Sequence, residues 1–190
     1  MLVAYKGFEP GLECLGYRFM MGKWNEEEKA ECHQEGFHSA YEPFDCLNYY
    51  GWDEKNIFCM VIVDGIIHEE EYDTKIASTR IMPYRQLSLE EFVYAEIIHL
   101  INHPYLGSNR RVINGEEYTT KDDDKFVVIR GKNPKVTIKR KDVIVGILKE
   151  ADDNKSIIEV NFFTTGKNYP LGTYNAAGKI NTMKRKGEHK

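Results

Sequence analysis

Cys32, His38 and Cys46 fall within one short stretch, Cys32–Tyr50, and Cys14 is the next cysteine upstream. Thiolate and imidazole are zinc ligands, so convergence of these side chains would make a metal site. Their spacings are not those of a finger or a ribbon. The better expectation is buried thiols beside a hydrogen-bonded histidine, with no metal. A second chemistry is nucleophilic: Cys32 paired with His38, although no third group to orient the imidazole can be named. His38 and Ser39 are the residues of this stretch best able to carry a reaction, given a carboxylate that the sequence does not identify. The run Asp122-Asp123-Asp124 lacks the alternating ligands and distal Glu of a calcium loop and reads as a solvated loop.

The elements that position these residues follow from periodicity and turn chemistry. Leu2 to Phe8 reads as a strand and Gly11 to Met21 as a second. Trp24 to Glu31 reads as a solvated loop or helical turn. Phe37 to Ala40 looks extended, and Pro43 suits the first turn of a short helix that Gly51 can end. Ile57 to Val63 is apolar on both faces, as a central strand should be, and Asp64-Gly65 signals a turn after it. Lys75 to Met82 is a further strand. Ser88 to Asn102 is a helix with a Ser88/Glu91 capping box, and His99 sits at the edge of its apolar stripe. Strands are expected over 126–129, 136–138, 143–148 and 157–163, with a turn at Asp152-Asp153-Asn154-Lys155.

The expected class is therefore α+β: a mixed N-terminal sheet with two helices, followed by a β-rich part. The expected layout is an α+β domain over 1–106 and a polar connecting loop over 107–125. A β-rich region over 126–182 and a disordered basic tail over 183–190 complete it. The chain has 190 residues and a net charge of −4, which argues against a general nucleic-acid binder. Lys132, Lys135, Lys139, Arg140 and Lys141 form the one basic cluster that a nucleic acid could use, but they read first as the wet face of a strand. The N-terminus lacks the features of a secretory signal, and no apolar run is long enough to span a membrane. Free thiols in a cytoplasmic setting are expected.

Tyr5-Lys6-Gly7-Phe8, Leu12-Glu13-Cys14-Leu15-Gly16-Tyr17, Gly36-Phe37-His38-Ser39-Ala40, Asp45 through Tyr49-Tyr50 and Asp73-Thr74-Lys75-Ile76-Ala77 carry a resemblance. Over roughly residues 1 to 92 the chain resembles an uncharacterised family of phage and prophage proteins. Tyr5-Lys6-Gly7, Gly36-Phe37-His38-Ser39, Pro43 to Tyr50 and Phe58 to Val63 also follow the order of the ADP-ribosyltransferase-like fold. That similarity implies NAD near Tyr5, Lys6 and Ser39, with Lys6, Arg18, His38 and Ser39 as catalytic candidates. Lys6 stands where that group has Arg or His, and no E-x-E lies on a late strand. The preferred expectation is an accessory protein that binds a host protein, counter-defence being one such role, with no cofactor. An NAD-dependent transferase-like enzyme and a structural phage component are the alternatives, so enzymatic activity is left open.

Overall fold

A computed structural model describes residues 1–53, 55–70, 74–152 and 156–180. The chain divides into two compact units, Met1–Asn102 and His103–Lys190. The expected tail over 183–190 and residues 153–155 of the expected turn lie outside the described residues.

The N-terminal unit is built on strands β1 (Leu2–Phe8), β5 (Phe37–Ala40), β6 (Ile57–Glu69) and β7 (Lys75–Gln86). Each pairs antiparallel with two others, in the cyclic order β5-β1-β6-β7-β5, so the sheet closes into a four-stranded barrel. Alternation along the strands decides the interior. Ile57, Cys59, Val61 and Val63 of β6 turn inward with Ala4, Phe8, Phe37, Ile76 and Ile81. The intervening Phe58 turns outward and is equally buried, stacked on Trp52 at 4.7 Å and beside Phe92 at 4.8 Å. That is why this run is apolar on both faces.

Helix α1 (Leu89–Asn102) supplies Phe92 to this outer cluster. Its capping box forms as expected: Ser88 N–H donates to Glu91 (2.9 Å), and Glu91 N–H donates to Ser88 Oγ (3.2 Å). Pro43 opens a 3-10 helix, Pro43–Asn48, whose Phe44 lies 5.8 Å from Phe92. This helix stops before Gly51, with Tyr49 as its C-cap. Two short hairpin strands, β2 (Glu13–Cys14) and β3 (Tyr17–Arg18), and an edge strand β4 (Asn25–Glu26) on β7 complete the unit.

The α+β expectation is overturned. The protein is mostly β, 48% strand against 12% helix, and its N-terminal sheet is closed and antiparallel rather than mixed. Gly11 to Met21 forms a hairpin, not one strand. Trp24 to Glu31 contains β4. Asp64 and Gly65 do not turn the chain; they lie inside β6 at an irregularity of register. Gly65 takes a φ of 77° there, and a side chain at that position would strike Thr79 Oγ1, which accepts from Ile66 N–H.

The second unit coils. Strands β8 (Val112–Asn114), β10 (Phe126–Gly131) and β12 (Ile144–Glu150) stack in parallel in one sheet, and β9 (Glu117–Thr119) and β11 (Lys135–Ile138) in another. The chain alternates between the sheets, so each parallel crossover is itself a strand of the opposite sheet. Val112 pairs with Val128, Val128 with Gly146 and Tyr118 with Val136, a pitch of 16 to 18 residues. Antiparallel β13 (Ile157–Thr164) closes the first sheet, and β14 (Gly172–Asn175) with β15 (Gly178–Ile180) closes the second. Val127, Ile129, Val145, Ile147 and Phe163 pack on Val136, Ile138 and Tyr174 between them. The polar segment 107–125 is thus not a plain loop; it contributes the first strand of each stack.

Candidate functional site

The residues singled out in the sequence are distributed over three environments. Lys6 and Ser39 face the barrel interior, each 5% exposed. Tyr5 faces the other way, where burial and then the charge of Glu96 raise its pKa. Arg18 lies on the exposed hairpin, 4.0 Å from Glu13. His38 is half-buried, and its Nε2 accepts from the His33 N–H (3.0 Å). Burial, then Lys6, Lys75 and His33, hold its pKa below the usual value, so His38 is neutral at neutral pH. These residues do not line one open cleft.

His33 has a φ of 68° and carries a chain of contacts that reaches the buried Lys75. Its Nε2 meets Glu70 Oε2 at 2.6 Å, and Lys75 Nζ lies 3.0 Å from its Nδ1 and 3.3 Å from Tyr49 Oη. The Cys32 Sγ faces the carbonyls of His68 (3.3 Å) and Lys75 (3.9 Å). Among the described residues no cluster of three His, Cys, Asp or Glu side chains has the geometry to hold a metal.

Convergence occurs instead at Cys14, on the hairpin stem. Lys6 Nζ approaches its sulfur from the interior at 3.5 Å, while also donating to the His38 carbonyl at 2.9 Å. The ammonium lies over the rings of Phe8 (5.3 Å) and Phe19 (5.8 Å), which offset part of its desolvation. Tyr50 Oη donates to the same sulfur at 3.1 Å. Tyr50 reaches it because its ring lies on Gly7, where a Cβ would come within 2.6 Å of the ring. Burial and the Cys14 contact raise the Tyr50 pKa, so the phenol stays protonated and remains a donor. Tyr50 was not among the candidates named from the sequence; the signal that could have found it is Gly7, a glycine inside a strand, which marks a close approach.

The hairpin itself has an unusual tip. Cys14 pairs with Tyr17, so Leu15 and Gly16 form a two-residue turn with φ of 50° and 78°. Turns of this left-handed kind favour Asn-Gly, because a branched apolar side chain costs energy at positive φ. Leu15 is nevertheless there and 96% exposed. Tyr17, Met20 and Met21 are exposed close by in the chain. Tyr17 is held by Asn25 (3.2 Å) and by edge contacts to Phe19 (4.7 Å) and Phe37 (5.7 Å).

A third cluster is buried and acidic. Glu96 of α1 is 0% exposed, and its Oε2 accepts the Phe44 N–H (3.0 Å), tying α1 to the start of the 3-10 helix. Glu42 and Asp45 are buried beside it. Burial, then the Glu42 carboxylate, push the Glu96 pKa well above 4.5. Glu96 Oε1 accepts nothing from the described residues; protonated there, it becomes a donor toward Glu42. A raised carboxyl pKa means that the folded state holds the proton more tightly than the unfolded chain does. Its stabilisation is complete below about 4.5 and is lost as pH rises toward the folded value. Urea midpoints of Glu96→Gln and wild type, compared from about pH 5 to about pH 9, should therefore diverge in favour of the variant as pH rises. A constant difference would show that Glu96 takes up no proton on folding.

Three side chains of the basic cluster in the second unit, Lys132, Lys135 and Arg140, are engaged locally. Lys132 Nζ donates to the Ala151 carbonyl, Lys135 lies 3.8 Å from Glu117, and Arg140 donates to the Asp122 and Lys141 carbonyls. No helix of the described residues is long and apolar enough to cross a membrane. In comparisons with known proteins, no curated protein and no solved structure matches the chain. Residues 2–95, from β1 into α1, match the family model described as a domain of unknown function, DUF7666.

Proposed function

We propose that the protein acts by binding a protein partner through the hairpin Glu13–Arg18. The observation that carries this reading is Leu15: a fully exposed leucine held at positive φ, where the turn itself gains nothing from it. Strain at Leu15, with Tyr17, Met20 and Met21 exposed close by in the chain, is what a projecting apolar anchor requires. Tyr17 and Arg18 beside it are residue types that dominate contact energies, and Tyr17 is already fixed in place, so little ordering cost remains. The resemblance to phage and prophage proteins supports a host protein as the partner, with interference in host defence as the role. The NAD-dependent alternative asks for Lys6 and Ser39 on an accessible surface, and both are buried.

Leu15→Asn separates folding from binding. Asparagine tolerates the left-handed turn, so the variant should melt no lower than wild type. Loss of the anchor should weaken partner binding at least about ten-fold. Affinity capture from host lysate, with Leu15→Asn as the control, should recover a protein on wild type that is depleted on the variant. Identical recoveries on both would remove the hairpin from the account.

A further inference from the structure

We propose that Cys14 is a nucleophilic thiol that reacts with hydroperoxides, served by Lys6 and Tyr50. This goes beyond the binding role and does not depend on it. Four observations carry the inference. Cys14 is partly exposed, whereas Cys32, Cys46 and Cys59 are buried. Two donors, a buried ammonium and a phenol, end on the one sulfur. The contacts to Lys6 Nζ are this sulfur, one carbonyl and two aromatic faces, and no carboxylate of the described residues lies within ion-pair distance of it. Ser39 Oγ is buried and has no hydrogen-bond partner among the described residues. The pairing of Tyr5 with Ala40 sets Ser39 opposite Lys6, on the same inward face. A thiol, an ammonium and a phenol thus meet at the root of the hairpin.

The chemistry balances as a two-electron oxidation. Cys14 Sγ attacks the distal oxygen of a hydroperoxide; an S–O bond forms and the O–O bond breaks. Sulfur is oxidised to sulfenic acid, and the peroxide is reduced to water or an alcohol. The leaving oxygen takes a proton from Lys6 or Tyr50, which is made good by the proton the thiol gives up. The ammonium beside sulfur stabilises the charge that passes from sulfur to the leaving oxygen. Cys46 and Cys59 provide internal controls, since burial pushes both thiols up to about 12.

The test treats the native full chain with hydrogen peroxide in the presence of dimedone and maps the adduct by mass spectrometry. Cys14 should carry it, and bimane labelling of Cys14 at neutral pH should outpace glutathione by about ten-fold or more. Tyr50→Phe keeps the ring on Gly7 and removes only the hydroxyl; Lys6→Met keeps the chain length and removes the charge. Each should slow the reaction about ten-fold with the wild-type melting profile retained. If Lys6→Met does not fold, Tyr50→Phe alone decides the matter. Labelling of Cys14 at the glutathione rate, adducts on another cysteine instead, or an unchanged rate in Tyr50→Phe would overturn the proposal.

Discussion

Glu150→Ala is expected to lower the stability of the His103–Lys190 unit by about 3–5 kcal/mol, the cost of leaving a buried charge without its partner. Arg130 of β10 is 3% exposed, and its Nε donates to Glu150 Oε1 at 2.8 Å across the parallel pairing with β12. A second guanidinium nitrogen donates to the Pro104 carbonyl at 3.0 Å. The ion pair therefore fastens the coil to the segment that enters it. Removing the carboxylate leaves the guanidinium in a site that water enters poorly. Removing both charges is another matter: Arg130→Met with Glu150→Leu should recover much of the loss, because apolar groups of similar size need no desolvation. Denaturation followed by far-ultraviolet circular dichroism checks the series. Equal losses in the single and double variants would show that the pair acts by packing alone.

Gly36→Ala should cost the N-terminal unit about 3 kcal/mol, combining a left-handed backbone with a clash. Gly36 has a φ of 87° just before β5. A Cβ there would lie 2.9 Å from the Lys29 carbonyl oxygen, 3.0 Å from Ala30 Cα and 3.0 Å from the Ser78 carbonyl oxygen. All three are main-chain atoms, so no side chain can swing aside to make room. The strand that follows holds His38 and Ser39 and closes the barrel between β1 and β7. Strain at Gly36 therefore reaches the Lys6 contact with the His38 carbonyl. Both tryptophans, Trp24 and Trp52, belong to this unit, so intrinsic fluorescence during denaturation reports its unfolding. A midpoint shift no larger than that of an exposed glycine such as Gly51, replaced in the same way, would contradict the geometry.

Local chemistry was readable in the sequence, and closure was not. The Ser88/Glu91 box, the start of the 3-10 helix at Pro43 and the strand character of Ile57 to Val63 each rest on neighbouring residues, and each is found. The barrel rests on β6 and β7 pairing with different partners along their opposite edges, which no short window contains. Asp64-Gly65 reads as a turn by composition, and only the Thr79 hydroxyl across the sheet makes it an irregularity inside a strand. Lys6 and Glu96 are charged side chains whose burial no neighbouring residue announces. One is accommodated by two aromatic rings and a carbonyl, the other by a backbone N–H and a shared proton. Glu96 did leave a trace, since it interrupts the apolar stripe between Phe92 and Leu100. The coil of the second unit left less, because its pitch varies and no motif repeats with it.

The most direct measurement of the central claim, that the hairpin tip is a protein-docking anchor, is site-specific photo-crosslinking in host cells. Benzoylphenylalanine placed at Leu15 should yield a discrete adduct with one partner on irradiation. The same group at Glu90, on the exposed first turn of α1, should not yield that adduct. No adduct from Leu15, or the same adducts from both positions, would contradict the account.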